Sequence, residues 1–310
     1  MISVLIPVKN GGDDLRRCLE RIQAQKVDHD VELIVVDSGS SDGSVELARS
    51  RGAIVFEISP STFDHGATRN WAARRARGEW LVFTSQDAYA ADESWLAHLT
   101  APLRDGERLA GVYGRQLPHH DARPPERYFL DFLYGPEPRR QRLEEGEELS
   151  FEVTLFSNVN SAIPRRTWEA YPFADDIVMS EDQEWSRRVL RAGFGLVYAP
   201  DAAVHHSHAY SVVGAMRRFF DSGASAERSY VDEQGSSSKS ALWKAGVRYG
   251  QGEIEWLWTT GQRRWIPYAT VYELAKFAGL QLGRQHRLLP NPVKARLSQY
   301  PEYWEASRPS

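Results

Sequence analysis

Glu32-Leu33-Ile34-Val35-Val36-Asp37 is an unbroken apolar run that opens and closes on a carboxylate. Four consecutive apolar residues with no alternation suit a central strand covered on both faces, which is the habit of parallel sheets flanked by helices. The neighbouring segments agree with it. Ile2-Ser3-Val4-Leu5-Ile6-Pro7-Val8 reads as a strand, broken at Lys9-Asn10-Gly11-Gly12, and a helix follows on Leu15, Cys18, Leu19 and Ile22. Ala53 to Ile58 makes a third strand, Asp64 to Ala76 a helix, and Trp80-Leu81-Val82-Phe83 a fourth strand. Strand and helix alternate four times before residue 90, so the first part is α/β with a parallel sheet.

Later segments read more coarsely. Gly111 to Gln116 fits a strand, and residues 117–150 are rich in Pro, Arg and Glu around one aromatic helix pattern. That composition predicts a mobile loop near the site or a surface excursion. Phe151 to Phe156 reads as an edge strand and Arg166 to Tyr171 as a short helix. Ser180-Glu181-Asp182-Gln183 fits a capping box with Ser180 as N-cap, placing Asp182 in a first turn whose dipole favours the ionised carboxylate. Gly195 to Ala199 is the last strand, leading into His205-His206-Ser207-His208, and a helix around Met216 to Phe220 follows. Gln234 to Ser238 has the composition of a flexible link. The expected division is therefore one domain at 1–232, with two halves meeting at about 116/117, and a helical extension at 233–310. In that extension Val271, Leu274, Ala275, Ala278 and Leu282 form an apolar stripe, and Lys276 to Arg296 holds five basic residues and no acidic one.

Bulk properties remove several classes. A net charge of -4 argues against a nucleic-acid binder, whose domain is normally basic. Cys18 is the single cysteine, which excludes an internal disulfide framework and a multi-cysteine zinc site. No run of eighteen apolar residues and no basic, then apolar, leader is present, so the chain is expected to be cytoplasmic without a spanning helix.

The candidate site residues fall after strands, where open α/β sheets bind ligands. Thr84-Ser85-Gln86-Asp87-Ala88 follows the fourth strand, and Asp87 there could hold a divalent cation, as magnesium-type ions use one or two carboxylates plus substrate phosphates. Asp37 to Gly43 is either a tight connection or a nucleotide pocket walled by Pro7, Val8, Lys9 and Asn10. His65, Arg69 and Asn70 open a helix, and a guanidinium matches phosphate oxygens. Glu181-Asp182 is either capping or a general base, and His206 with His208 could supply imidazole metal ligands. Neither a GxGxxG fingerprint nor a Walker loop is present.

Taken in order, Val4-Leu5-Ile6-Pro7-Val8-Lys9-Asn10, Val36-Asp37-Ser38-Gly39-Ser40-Ser41-Asp42-Gly43, His65-Gly66-Ala67-Thr68-Arg69-Asn70, Gln86-Asp87-Ala88, Glu181-Asp182 and the late histidines resemble an inverting family-2 glycosyltransferase of the GT-A fold. Ser85-Gln86-Asp87-Ala88, Val204 to Ser211 and the tail Lys276 to Arg284 are similar to its bacterial rhamnosyltransferase-like branch. The resemblance implies that 1–232 is the catalytic domain, with a nucleotide-binding half to about 116 and an acceptor half from about 117. It also implies a nucleotide-diphosphate sugar donor and a saccharide or lipid-linked saccharide acceptor. Pro7, Val8, Lys9, Asn10, Asp37, Ser38, His65, Arg69, Gln86 and Asp87 would then bind the donor. Asp182 would be the base, and Asn158, Asn160, Glu181 and Trp185 would line the acceptor side. Asp87, His206 and His208 would hold Mg²⁺ or Mn²⁺. Two departures stand out: the usual Asp-x-Asp is Ser85-Gln86-Asp87, and Gln262-Arg263-Arg264-Trp265 is one residue short of the processive-synthase motif.

Two other readings compete. A nucleotidyltransferase would share the sheet, nucleotide and metal, but needs a glycine-rich basic loop beyond Lys9-Asn10-Gly11-Gly12. A catalytically inactive nucleotide-sugar-binding scaffold is suggested only by the missing first Asp. The basic tail would let the enzyme rest on anionic lipid headgroups, or be a solvated face, and an aromatic tail helix would suit a second copy of the chain.

Overall fold

Strand β2 (Val31–Asp37) lies between β1 (Ile2–Val8) and β3 (Ile54–Glu57), parallel to both, and is buried from Glu32 onward. This computed structural model describes residues 1–104, 108–144, 149–229 and 237–305. On its other side β1 pairs in parallel with β4 (Trp80–Thr84). Alternate residues of these strands face opposite layers. Val4, Ile6, Val8 and Val35 pack with Leu15, Cys18, Leu19 and Ile22 of the helix Gly12–Gln23. Leu5, Ile34 and Val36 pack with Ala72 and Ala73 of the helix His65–Arg75. The period-2 division between two apolar layers is what a sheet buried on both faces requires.

Beyond β4 the direction changes. Strand β8 (Asn160–Pro164) runs antiparallel to both β4 and β6 (Leu109–Leu117), and β6 pairs in parallel with β9 (Gly195–His205). Two short strands, β5 (Tyr89–Ala90) and β7 (Arg139–Gln141), add antiparallel to β9. The order is β3-β2-β1-β4-β8-β6-β9-β5, with β7 beside β9. The sheet is mixed in its second half, and that half carries the chemistry.

Several expectations need correction. Phe151 to Phe156 is not an edge strand: Phe151–Thr154 is a helical turn capped by Ser150, whose side chain accepts from Val153 N. Gln141 Nε2 then donates to the carbonyls of Val153 and Leu155 (2.7 and 2.9 Å), so the turn's free acceptors are satisfied without a ladder. Within 117–150 a helix forms at Pro124–Leu133 and β7 beyond it. Gln234, Gly235 and Ser236 of the expected link, and the expected 232/233 boundary, lie outside the described residues, and the helix Ser237–Thr259 begins at Ser237.

The helix Ile266–Arg284 packs the opposite way from its apolar pattern. Val271, Leu274 and Leu282 are exposed, while Ala269, Lys276, Gly279 and Gly283 are buried. Glycine makes this possible. A Cβ on Gly283 would stand 2.0 Å from the carbonyl oxygen of Phe220, and one on Gly279 2.1 Å from that of Met216. The backbones of Ile266–Arg284 and Val212–Ser229 therefore touch, as small-residue faces allow. Lys276 is not part of a basic face. Its ammonium pairs with Glu273 (2.8 Å) and lies over the rings of Phe129 (4.3 Å) and Phe219 (4.9 Å). Each such desolvated contact stabilises by up to about 2 kcal/mol. Among the described residues no helix is long and apolar enough to cross a membrane.

Candidate active site

The loops after β1, β2 and β4 meet at one edge of the sheet. Asp37 Oδ1 accepts from Gly39 N and Ser40 N (both 2.9 Å), while its buried Oδ2 has no partner. Ser38 Oγ donates to Val8 O (3.1 Å), joining the two strand ends. Asn10 is held at φ 50, with its Oδ1 accepting from Ser41 N and its own N–H donating to Ser40 Oγ. The Pro7 to Asn10 loop and the Asp37 to Gly43 turn thus form one wall, as expected. Gln86 ties the β1 loop to the turn after β4. Its Oε1 accepts from Lys9 N (2.8 Å) and its Nε2 donates to Lys9 O (3.2 Å), so both amide groups clasp the β1 loop. The middle residue of the Ser85-Gln86-Asp87 motif is therefore a clamp.

Asp87, His206 and His208 come together although about 120 residues separate them in sequence. The cause is the two-residue strand β5, where Tyr89 faces His205 and Ala90 faces Val204. Pairing in that register carries the Asp87 turn to the end of β9. His206 Nε2 lies 3.8 Å from Asp87 Oδ1 and His208 Nδ1 3.7 Å from Oδ2, and one ligand atom of each lies within 4.8 Å of the others. These separations exceed hydrogen bonds. His206 Nδ1 donates to Gln116 Oε1 (2.9 Å), which directs Nε2 toward Asp87, and Gln116 is itself tied to Ser157 Oγ (3.0 Å). An imidazole oriented by a second hydrogen bond is the usual arrangement around a metal. Burial pushes His206 down to about 3 and also lowers His208, so both rings are neutral at pH 7, the form that ligates. The donor set fits a divalent cation.

A second pair lies at the start of the helix Glu181–Arg191. Ser180 does not form the expected capping box: it sits in the left-handed region at φ 64, and its side chain caps nothing. Asn10 and Ser180 are the two non-glycine residues with positive φ among those described, Asn10 in the loop wall after β1 and Ser180 next to this pair. Non-glycine backbone in that region costs about 1–3 kcal/mol and persists where the surroundings over-determine it. Here Ser180 turns Glu181 inward and Asp182 toward the cleft. Glu181 Oε1 accepts from Arg69 Nη1 (2.9 Å) and Asn158 Nδ2 (3.2 Å). Asp182 accepts from Asn158 N (3.1 Å) and Gln183 N (2.9 Å).

The two carboxyls are driven apart. Burial opposes the charge on Glu181, but Arg69 and His65 outweigh it and hold its pKa below the ordinary value. Burial, then repulsion from Glu181, pushes Asp182 up to about 7. The helix dipole, expected to favour the ionised Asp182, is outweighed by desolvation and its neighbour. Adjacent groups with divergent pKa values assign roles: Glu181 is a fixed anion and Asp182 exchanges a proton near neutrality.

Four expected contacts become supports. Arg69 is buried and committed to Glu181 rather than free for a phosphate. His65 is pushed by burial to about 4, with its ring edge-on to Phe63 (5.1 Å) and Tyr300 (5.0 Å). Trp185 is wholly buried and donates to Tyr171 O (2.8 Å), so it belongs to the core. Asn160, also wholly buried, donates to Ala202 O (2.7 Å) and Arg115 O and accepts from Trp95 Nε1. It pins the irregular stretch of β9, which passes so close to Gly114 that a Cβ there would stand 1.9 Å from Ala202 O.

Sequence reading missed Gln116, Tyr210, Arg218 and Tyr300. Gln116 had a signal, a polar side chain closing an apolar strand. Arg218 had none, because Arg217 beside it is of the same type and only the fold buries one of them.

A family profile described as Glycosyl transferase family 2 matches residues 3–166. The O-antigen chain rhamnosyltransferase RfbN of Salmonella typhimurium is 32% identical over 98% of this chain and 96% of its own length. The O-antigen chain rhamnosyltransferase WbaN of Salmonella anatum is 31% identical over 97% and 95%. Among solved structures, the mannosyltransferase PcManGT of Pyrobaculum calidifontis, in complex with GDP-Man and Mn2+, is similar with a TM-score of 0.57 at 19% identity, covering 98% of this chain and 85% of that one. TarS 1-349 of S. aureus in complex with UDP-GlcNAc has a TM-score of 0.52 at 15% identity, over 92% of each chain. These two share the fold, which is GT-A. With the profile matching over half its length and a relative aligned almost end to end, this chain belongs to glycosyl transferase family 2 and is a glycosyltransferase.

Proposed function

We propose that this enzyme moves a sugar, L-rhamnose in the first instance, from a nucleoside-diphosphate donor to a hydroxyl of a saccharide or lipid-linked saccharide, in one displacement that inverts the anomeric carbon. The observation that carries this reading is the divergent Glu181–Asp182 pair at the sheet edge that also holds the Asp87, His206 and His208 cluster. The choice of rhamnose is supported by the rhamnosyltransferases RfbN and WbaN.

The roles follow from the contacts. Asp37, with its free Oδ2, and the Pro7 to Asn10 loop receive the base of the nucleotide. Asp182 accepts the proton of the incoming hydroxyl as its oxygen bonds to the anomeric carbon, and the bond from that carbon to the diphosphate oxygen breaks. Asn158 holds both carboxylates in register, and Arg69 keeps Glu181 ionised so that its charge maintains Asp182 as a base effective near pH 7. A divalent cation held by Asp87, His206 and His208 would supply charge stabilisation at the leaving diphosphate. With two imidazoles in the donor set, Mn²⁺ suits the cluster better than Mg²⁺, which favours all-oxygen sites.

A thermal-shift panel of UDP, GDP and dTDP, with and without Mn²⁺, tests the reading. A ligand that binds only the native state stabilises it by RT ln(1 + [L]/Kd), about 2.7 kcal/mol at a hundredfold excess over Kd. The expected result is a Mn²⁺-dependent shift with dTDP exceeding those with UDP and GDP. No shift with any nucleotide would sink the assignment of this site as the donor pocket.

A lipid-linked acceptor would bring the enzyme to a membrane surface. Support comes from Val271, Leu274 and Leu282, exposed on one helix, with Leu288 exposed beyond it and Arg284 and Arg287 beside them. Apolar and basic side chains together suit an anionic interface. Co-sedimentation with phosphatidylglycerol vesicles should exceed that with neutral vesicles and fall on Leu274→Glu. Equal recovery with both would remove the membrane contact.

A further inference from the structure

A cavity of about 660 Å³ lies between the start of the helix Val212–Ser229 and the C-terminal segment, walled by Tyr210, Arg217, Gln299 and Tyr300 among others. That volume falls within the range of roughly 300–1,000 Å³ that small-molecule sites occupy. Its walls are shared with the catalytic cluster. The Tyr210 ring lies 5.1 Å from that of His208, and the Tyr300 ring stands edge-on to His65 at 5.0 Å. Arg218 interacts with both the cavity's tyrosines and Asp182. Burial opposes its charge, yet Tyr210, Tyr300, Asp182 and Asp221 around it outweigh this and raise its pKa, and its buried Nη1 has no hydrogen-bond partner.

The wall formed by the C-terminal segment is built rather than draped. Asp221, wholly buried, accepts from Gln299 N through Oδ2 (2.7 Å), and Ser298 Oγ accepts from Tyr300 N (2.8 Å). These bonds present the Tyr300 ring and the Gln299 amide to the cavity. Two half-buried tyrosines with a guanidinium and an amide are the side chains that recognise a sugar. The C–H faces of a pyranose lie on aromatic rings, while its hydroxyls bond to planar donors and acceptors. A single arginine at the rim is too little charge for a second diphosphate, and none of these wall residues is a carboxylate that would hold a cation.

We propose that this cavity is the acceptor subsite, taking one pyranose unit between Tyr210 and Tyr300, with Arg217 and Gln299 reading its hydroxyls and Arg218 facing the reacting hydroxyl beside Asp182. The inference rests on the glycosyl-transfer reading above and names its acceptor class. It also gives the helical extension a catalytic purpose, since Gln299 and Tyr300 belong to it.

Saturation-transfer NMR with octyl glycosides of rhamnose, galactose, mannose and glucose tests it on the whole chain, with dTDP and Mn²⁺ present. At least one glycoside should receive saturation at its ring protons. Tyr300→Ala and Arg217→Ala should weaken that binding by up to about tenfold, the worth of one aromatic contact, while Tyr300→Phe retains it. Arg217 is exposed, so its variant keeps the test open even where Tyr300→Ala fails to fold. All folded variants should keep the wild-type thermal shift with dTDP. Equal saturation in wild type, Tyr300→Ala and Arg217→Ala would overturn the subsite, as would absence of saturation from every glycoside in a protein that still responds to nucleotide. Saturation that is lost in the variants, in a protein with no nucleotide shift, would uphold the cavity as a sugar site and count against the transfer reading.

Discussion

Asp182→Asn is expected to lower sugar transfer by about 10²–10⁴-fold, the contribution of a positioned general base, while leaving the nucleotide thermal shift at its wild-type size. Asparagine keeps the shape and still accepts one of the bonds from Asn158 N and Gln183 N, but takes no proton. The same variant makes a stability prediction of definite sign. The native pKa of Asp182, about 7, lies above its ordinary value of 3.8, so between these the native state binds more protons than the unfolded one. Asp182 therefore supports stability at low pH and loses that support as pH rises through about 7. Glu181, Arg69, His65, Tyr134 and Arg218 are the charged or titratable groups that couple to it, directly or through Glu181. Asp182→Asn should thus melt above wild type at pH 8, with the gap closing toward pH 5, and wild-type turnover at saturating donor should fall below about pH 7. Near wild-type transfer by the variant would show that the base lies elsewhere.

Loss of the metal response is the second large effect. Asp87→Ala and His206→Ala would each remove one of the three proposed ligands, and both should abolish the Mn²⁺-dependent part of the dTDP shift while leaving the metal-independent part. Gln116→Leu leaves the ligands in place but frees the His206 ring, and disturbing such an outer hydrogen bond costs about 10–100-fold in metal affinity. The order expected from titration of Mn²⁺ by electron paramagnetic resonance is wild type, then Gln116→Leu, then the two ligand variants without measurable binding. Wild-type affinity in His206→Ala would remove the histidines from the cluster. Because the readout is metal binding itself, the result does not depend on knowing the acceptor.

How much of this was legible follows from what each feature depends on. Strands β1, β2 and β4 and the helix Gly12–Gln23 were readable because local apolar pattern decides them: a short apolar run closed by turn residues suits a strand buried on both faces. Strand β3, exposed at both ends, was legible from the alternation of strand and helix around it. The helical turn at Phe151–Thr154 was misread because Ser150 and Gln141 satisfy its backbone, one from the adjacent residue and one from a strand ten residues away. The outward stripe of Val271, Leu274 and Leu282 was misread for a related reason. Gly279 and Gly283 bring the helix close on its small-residue side, and close backbone contact overrode the apolar period.

At the site, Asp37, Asp87, Asp182, His206 and His208 were identifiable by type and by position after strands or at a helix start. Their chemistry was not. Whether Asp182 is a strong acid or a base near pH 7 depends on burial and on which neighbour Arg69 neutralises, and both are set by side chains far apart in sequence. Asn160 and Trp185 illustrate the converse, since residues of binding type become supports once they are fully enclosed. The sequence by itself determined the α/β framework and the inventory of reactive groups, because these rest on local periodicity and residue chemistry. Only the tertiary structure decided that a two-residue strand draws Asp87 to the histidines, that Gln86 clamps a loop, and that the C-terminal segment walls a cavity whose tyrosines lie against the rings of His208 and His65. Those outcomes depend on strand register and on the exclusion of water, and neither is written in any single stretch of the chain.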